Sequence, residues 1–398
     1  MTSSESSHLF SVFSRCALAF ERGAGSYLFT KDGKAYLDFG SGIAVNALGH
    51  GHPRLVNALQ KQAEKLWHTS NLYYSPEQER LAKRLCEITF ADRVFFCNSG
   101  TEAIEAAIKA SRRYHYCKGA PRRNRIITLE GGFHGRTMGA LAATGRKKYL
   151  EGFAPVPDGF DQVPFDDLRA VELAVNESTA AILVEPIQGE SGVRPLPSGY
   201  LRALRDVCDT YGILLLLDEV QTGVGRTGKF FAYEHEGITP DVLATAKGLG
   251  GGFPVGACFA TEAVAAAMQP STHGSTFGGN PLAMAVAEEV VDIVSSGSFL
   301  RRVDEASRRL MDGAGELISK YPSVYRAVRG LGLLVGLQCV PPVADVLARV
   351  HEQGLLCIPA SDNVLRLVPP LTITDSEIDA GISKLSAAAE ALSDTAYN

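Results

Sequence analysis

The chain has 398 residues, 45% of them hydrophobic, and a formal net charge of -5 at pH 7, which is enough for two domains with sizeable cores. The charge is spread without basic clusters, so the electrostatic footprint of a nucleic-acid binder is absent, and no apolar run approaches the roughly 20 residues of a membrane helix. Met1 to Ser7 lack the basic start and apolar core of a secretory signal, so a cytoplasmic location is expected, with the eight cysteines, none in Cys-x-x-Cys spacing, as reduced thiols.

Residues 1–45 read as an N-terminal arm and small-domain strands, because GSYLFTKDGKAYLDF alternates around a Lys31-Asp32-Gly33 turn. His50 and His52 precede Pro53 without a partner cluster of acids or cysteines, so no metal site is expected there. From 46 to 288, the short apolar runs RVFFC, RIITLE, AAILVEP, ILLLLDE, VLATAK and VGACFAT alternate with amphipathic stretches such as TEAIEAAIKASRRY. That alternation predicts a large α/β domain, a mostly parallel central sheet with helices on both faces. From 289 to 398 a long helical connection leads into AVRGLGLLVGLQCV, LLCIPA, VLRLVPP and a final helix, the pattern of a smaller C-terminal α+β domain.

Candidate site residues follow the same order. Cys97-Asn98-Ser99-Gly100-Thr101-Glu102 closes the run VFFC and opens a helix. Ser99 and Glu102 fit a capping box, and the first-turn amides with the helix dipole suit an anion such as phosphate, although an ordinary capped helix reads the same way. In GGFHGRTMGAL, Phe133 suits stacking on a flat ring and Arg136 a carboxylate; a core ring and a solvated cation fit equally well. ILLLLDEV is too short for a helix and reads as a buried strand delivering Asp218 to the sheet's carboxyl edge, where open α/β sheets bind ligands. VLATAK brings Lys247 to the same edge. Gly223-Val-Gly225-Arg-Thr-Gly228 has dinucleotide-loop spacing, but KFFAYEHEGITPD after it is too short and broken for the required helix.

An acid and an amine at one edge have a joint use. A lysine can hold an aldehyde as an imine, and pyridoxal 5'-phosphate adds a ring whose protonated nitrogen draws electrons from the substrate carbon and needs an anion beside it. Asp218 would be that anion and Lys247 the amine. Each alone is as readily a turn cap or a solvated strand end.

LLLLDEVQTGVGRTG followed by ATAKGLGGG resembles the class III, or ornithine-type, pyridoxal-phosphate aminotransferases, and the likeness continues through FFCNSGTEA, FHGRTMGAL, VEPIQGE, HGSTFGGNPLA and LRLVPPLT. Within that class the chain is most similar to the acetylornithine aminotransferases. The resemblance implies a fold-type I transferase and assigns the cofactor phosphate to Gly100 and Thr101, with Thr276 reaching it from the other subunit of a homodimer. It puts Phe133 and Val220 on the two ring faces and Gln221 on the phenolic oxygen, and Glu219, between Asp218 and Val220, is counted with the cofactor-binding stretch. It also places Arg136 and Ser275 near the substrate, and makes Glu190 and Arg366 a switchable ion pair.

Ile43 stands where ornithine aminotransferases carry a tyrosine for a free α-amine, and Phe13 where relatives often have tyrosine. The expected reaction moves the δ-amine of N-acetylornithine to 2-oxoglutarate. Succinylornithine, succinyl-diaminopimelate, ornithine and 4-aminobutyrate transaminases share the same motifs, and a non-catalytic phosphate-ligand binding protein is the rival from another class.

Overall fold

The computed structural model describes residues 8–395. Seven strands form the central sheet, in the spatial order Arg93–Cys97, Gly256–Ala260, Val242–Thr245, Leu214–Asp218, Thr179–Val184, Arg125–Leu129 and Phe160–Val163. Only Gly256–Ala260 runs against the rest. The middle strands Thr179–Val184, Leu214–Asp218 and Val242–Thr245 are buried along their whole length. This is the reason their sequences are continuous apolar runs: both faces of a parallel sheet are covered. Helix Gly100–Cys117 packs on one face through the small buried residues Ala103, Ala106, Ala107 and Ala110, which allow close approach to the strands. Helix Tyr200–Tyr211 ends at Gly212 in left-handed geometry, a stop that turns the chain into the Leu214 strand.

The hairpin predicted near the start forms between Tyr27–Thr30 and Ala35–Asp38, with Gly33 at φ 84 in its turn. Its sheet is wider than the sequence suggested: Phe20–Ala24 adds to one side, and Leu355–Leu356 pairs in parallel with Leu37 and Asp38 on the other. A second small sheet orders Tyr325–Leu331, Leu334–Cys339, Val364–Leu367 and Ile358–Ala360, all antiparallel. Helices Gly297–Lys320, Val343–Glu352 and Asp375–Thr395 pack with these strands.

The glycine-rich segment Gly223–Gly228 is buried and serves as a joint. Arg226 donates through Nη1 to the carbonyls of Leu333 and Pro369 at 3.0 and 2.5 Å, and Leu333 N returns a bond to the Arg226 carbonyl. A Cβ at Gly223 would lie 2.7 Å from the Glu219 carbonyl, so its glycine serves close packing of the loop rather than a phosphate. Among the described residues no helix is long and apolar enough to cross a membrane.

Candidate active site

A cavity of about 440 Å³ opens at the carboxyl edge of the central sheet. Asp218 is the last residue of its strand and enters the cavity wall with both oxygens engaged, Oδ2 on His134 Nδ1 at 2.8 Å and Oδ1 on the Val220 amide at 3.1 Å. Lys247 lines the same cavity, but the strand before it stops at Thr245, two residues earlier than VLATAK suggested. Lys247 instead begins a short helical turn at φ 44, a left-handed conformation that a lysine adopts at a cost of about 1–3 kcal/mol. Gly248 and Gly250 are buried in that turn.

Burial, and then the Arg366 cation, lower the Lys247 ammonium to about 8, against the opposing pull of Glu190, Asp218 and Glu185. An amine poised there is a competent nucleophile near neutral pH. Since the neutral amine is the reactive form, reductive methylation of Lys247 in cofactor-free protein should rise through a midpoint near pH 8, where an ordinary lysine titrates at about 10.4. Peptide mass spectrometry across pH 6–11 measures it, and a midpoint above 10 would refute the poising.

At the other end of the cavity stands the start of helix Gly100–Cys117. Ser99 Oγ accepts from Glu102 N, and the Glu102 carboxylate reaches one residue further back than a capping box requires, to Asn98 N at 2.8 Å. Among the described residues the amides of Gly100 and Thr101 have no protein acceptor, so two donors at a positive helix end face the cavity. A Cβ on Gly100 would sit 2.7 Å from Val220 Cγ1, so the glycine admits the valine as well as any ligand. Phe133 and Val220 both line the cavity. Arg136, at the mouth, stacks on Tyr149 at 3.9 Å and makes no ion pair among the described residues.

Two acids and a histidine surround the inner wall. His134 and Glu185 line it, and neither was singled out in the sequence. Burial opposes charge on His134, but the bond to Asp218 and the charges of Asp218 and Glu185 outweigh it and hold its pKa above the usual value. Glu185 accepts from the amides of Phe133 at 2.8 Å and Gly189 at 3.4 Å; burial, then repulsion from Asp218, push its pKa up. The signal for both was present: each sits inside a motif already noted, FHGR and VEPIQGE.

Glu190 and Arg366 meet at 2.8 Å although 176 residues separate them. The meeting is arranged by the segment around Glu190, which is bound to the small sheet: Ser361 N donates to the Glu190 carbonyl at 3.1 Å and Arg329 Nε to the Gly192 carbonyl at 2.6 Å. Gln221 lines the cavity and its Oε1 accepts from Arg366 Nη1 at 2.8 Å. Burial opposes charge on Glu190, and Arg366 overrides it to hold the carboxyl below its usual pKa.

Glu219, expected in the cofactor-binding stretch, does not line the cavity. It is fully buried away from the cavity, accepting from the amides of Ala232 and Tyr233 at 2.6 and 2.9 Å and from Thr222 Oγ1 at 2.9 Å. Alternation along an extended strand sends Asp218 and Glu219 to opposite faces. Ser275 and Thr276 do not line the cavity within one chain, although Ser275 Oγ accepts from Asn98 Nδ2 at 3.2 Å beside the helix start. Ile43 and Phe13 are exposed and also outside it.

The chain is similar to several known proteins. The class-III aminotransferase family profile matches residues 12–389. A curated relative from Mesorhizobium japonicum, named acetylornithine aminotransferase, is 54% identical over 98% of this chain and 97% of its own. One of the same name from Agrobacterium fabrum is 54% identical over 96% of each. Among solved structures, the ornithine aminotransferase of Toxoplasma gondii superposes with a TM-score of 0.94 at 32% identity, covering 98% of this chain and 94% of that one. The N-acetylornithine aminotransferase of Stenotrophomonas maltophilia gives 0.84 at 39% identity, over 95% and 97%.

Proposed function

The chain belongs to the class III aminotransferases, and from that membership together with the cavity we infer that it transfers the δ-amine of N-acetylornithine to 2-oxoglutarate with pyridoxal 5'-phosphate, in the biosynthesis of arginine. The observation that carries the reading is the meeting of Lys247, Asp218 and the unpaired Gly100 and Thr101 amides in one cavity. The donor set fits the cofactor: paired amides at a helix start for a phosphate, a fixed carboxylate for a ring nitrogen, a poised amine for an aldehyde. When bound, the cofactor supplies an aldehyde that exchanges with the substrate amine and a protonated ring that withdraws electrons from the reacting carbon.

The protein's part is then as follows. Gly100 and Thr101 would hold the phosphate, Phe133 and Val220 would take the ring faces, and Gln221 would meet the phenolic oxygen. Asp218, held by His134 and the Val220 amide, would keep a proton on the ring nitrogen. Lys247 Nζ would hold the aldehyde at rest and would move the proton at the reacting carbon. Arg136 receives the donor's α-carboxylate, leaving its distal amine at the cofactor. Glu190 cancels the Arg366 charge while the donor is bound and moves off when 2-oxoglutarate needs that guanidinium. A panel of N-acetylornithine, succinylornithine, ornithine and 4-aminobutyrate, with 2-oxoglutarate fixed and glutamate release followed, tests the reading. The acetylated donor should show the highest kcat/KM; a faster rate with another donor would overturn it.

The same reading makes the working unit a homodimer, with Thr276 reaching the partner's phosphate and Ser275 near the substrate. Its support is an exposed apolar surface: Trp67, Leu72, Tyr73, Tyr74 and Phe277 are all exposed, on two loops joined by the His68–Phe277 ring contact and by Asn71 Nδ2 donating to the Ser275 carbonyl. Such a patch marks an interaction face. Mixing inactive Lys247→Ala protein with inactive Thr276→Ala protein should restore part of the activity, because a hybrid dimer has one site with both native residues. Absence of recovery after demonstrated subunit exchange would rule out the shared site.

A further inference from the structure

Arg366 is 1% exposed, and its Nη1 donates to two oxygens at once, Oε1 of Glu190 and Oε1 of Gln221, each at 2.8 Å. Its Nε has no partner among the described residues. The two acceptors differ in kind. Glu190 is an anion with a quarter of its side chain exposed, whereas Gln221 is neutral and buried in the cavity wall. Gln221 is also held from behind. A Cβ at position 189 would lie 2.4 Å from its amide, so Gly189 lets that amide pack against the backbone next to Glu190. Neither Glu190 nor Arg366 lines the cavity, so Gln221 is a wall residue in direct contact with the ion pair behind it.

The chemistry of an amide fits this position better than that of a carboxylate. A neutral acceptor satisfies a buried guanidinium N–H without cancelling its charge. Once Glu190 moves away, a guanidinium with no other acceptor would either follow its counter-ion or stay behind with orphaned donors. With Gln221 in place it keeps one bond, its full positive charge and the free Nε for an incoming oxygen.

We propose that Gln221 is a positioning residue for the acceptor substrate: its amide oxygen anchors Arg366 while two anions, the Glu190 carboxylate and the substrate carboxylate, occupy the guanidinium in turn. The proposal rests on the reading of Arg366 as the carboxylate site. The amide oxygen is turned to the arginine, which leaves the NH₂ to serve the cavity.

Calorimetric titration of the holoenzyme with glutarate, a dicarboxylate that cannot react, tests this in a double-mutant cycle. Glu190→Gln alone removes the competing anion and should tighten glutarate roughly tenfold. Gln221→Glu places a fixed anion on Arg366 and should weaken glutarate by roughly tenfold or more, and in that background Glu190→Gln should no longer tighten it. A gain of the same size in both backgrounds would show that Gln221 does not act through Arg366 and would overturn the proposal. Failure of Glu190→Gln to tighten glutarate even with Gln221 intact would overturn the carboxylate gate itself. Should Gln221→Glu not hold the cofactor, Gln221→Asn withdraws the amide by one methylene. That variant should bind glutarate roughly tenfold more weakly, and unchanged affinity would count equally against the anchor.

Discussion

Replacing Lys247 with alanine is expected to lower turnover by roughly a thousandfold or more, because it removes both the amine that holds the aldehyde and the group that moves the proton. The fold should survive. In the folded protein the ammonium is pushed down to about 8 by burial and then by Arg366, so at pH 7 it is charged in both folded and unfolded chains but costs the folded one up to ~3 kcal/mol. Alanine removes that cost, so the melting temperature of cofactor-free Lys247→Ala should equal or exceed that of the wild type at pH 7. Above pH 8 the folded amine loses its proton first, and by about pH 10.5 the difference should vanish. Alanine also keeps the restricted backbone at φ 44, so the variant reports on the amine alone. Borohydride reduction of the wild-type holoenzyme should attach the cofactor to the peptide containing Lys247. Attachment to any other lysine would sink the assignment.

Asp218→Asn should slow both half-reactions by roughly a thousandfold, since an amide cannot hold a proton on the ring nitrogen by charge. The surroundings sharpen the expectation. His134 keeps its raised pKa through Asp218, and Glu185 is pushed up partly by repulsion from the same carboxylate. Removing the charge should therefore lower the pKa of both neighbours while leaving the Val220 amide an acceptor at position 218. Single-turnover absorbance traces of the two half-reactions decide the matter: equal slowing fits the electrostatic role, and near-native rates would make the acid structural only.

The sequence made the sheet edge legible because buried parallel strands are written as continuous apolar runs, and Asp218 sits at the end of one. Lys247 was legible for its position but not its conformation: nothing in ATAKGL declares that the strand ends at Thr245 and that the lysine takes a left-handed turn. Glu219 shows the opposite case, a residue grouped with its neighbours although strand alternation already turned it away. His134 sits within FHGR, but its bond to Asp218, 84 residues away, belongs to the fold. The same holds for Gln221 and Arg366, 145 residues apart, whose contact depends on the loop joint at Arg226 and on the segment strapped by Ser361 and Arg329.

The parallel pairing of Leu37 and Asp38 with Leu355 and Leu356 has a consequence for biogenesis. The partner strand is translated about 300 residues after the hairpin it completes, a delay on the order of 15–60 s at ordinary elongation rates. Through that interval the Ala35–Asp38 strand has a free edge, an open template for mispairing with other nascent chains. Ribosome-stalled chains ending before Leu355 should be cut by protease between residues 20 and 38, and chains long enough to expose Leu356 and the helix after it should be protected there. Late closure of this sheet ties burial of the first strands to near-completion of synthesis, so a chain truncated near its end would present its beginning to the quality-control machinery.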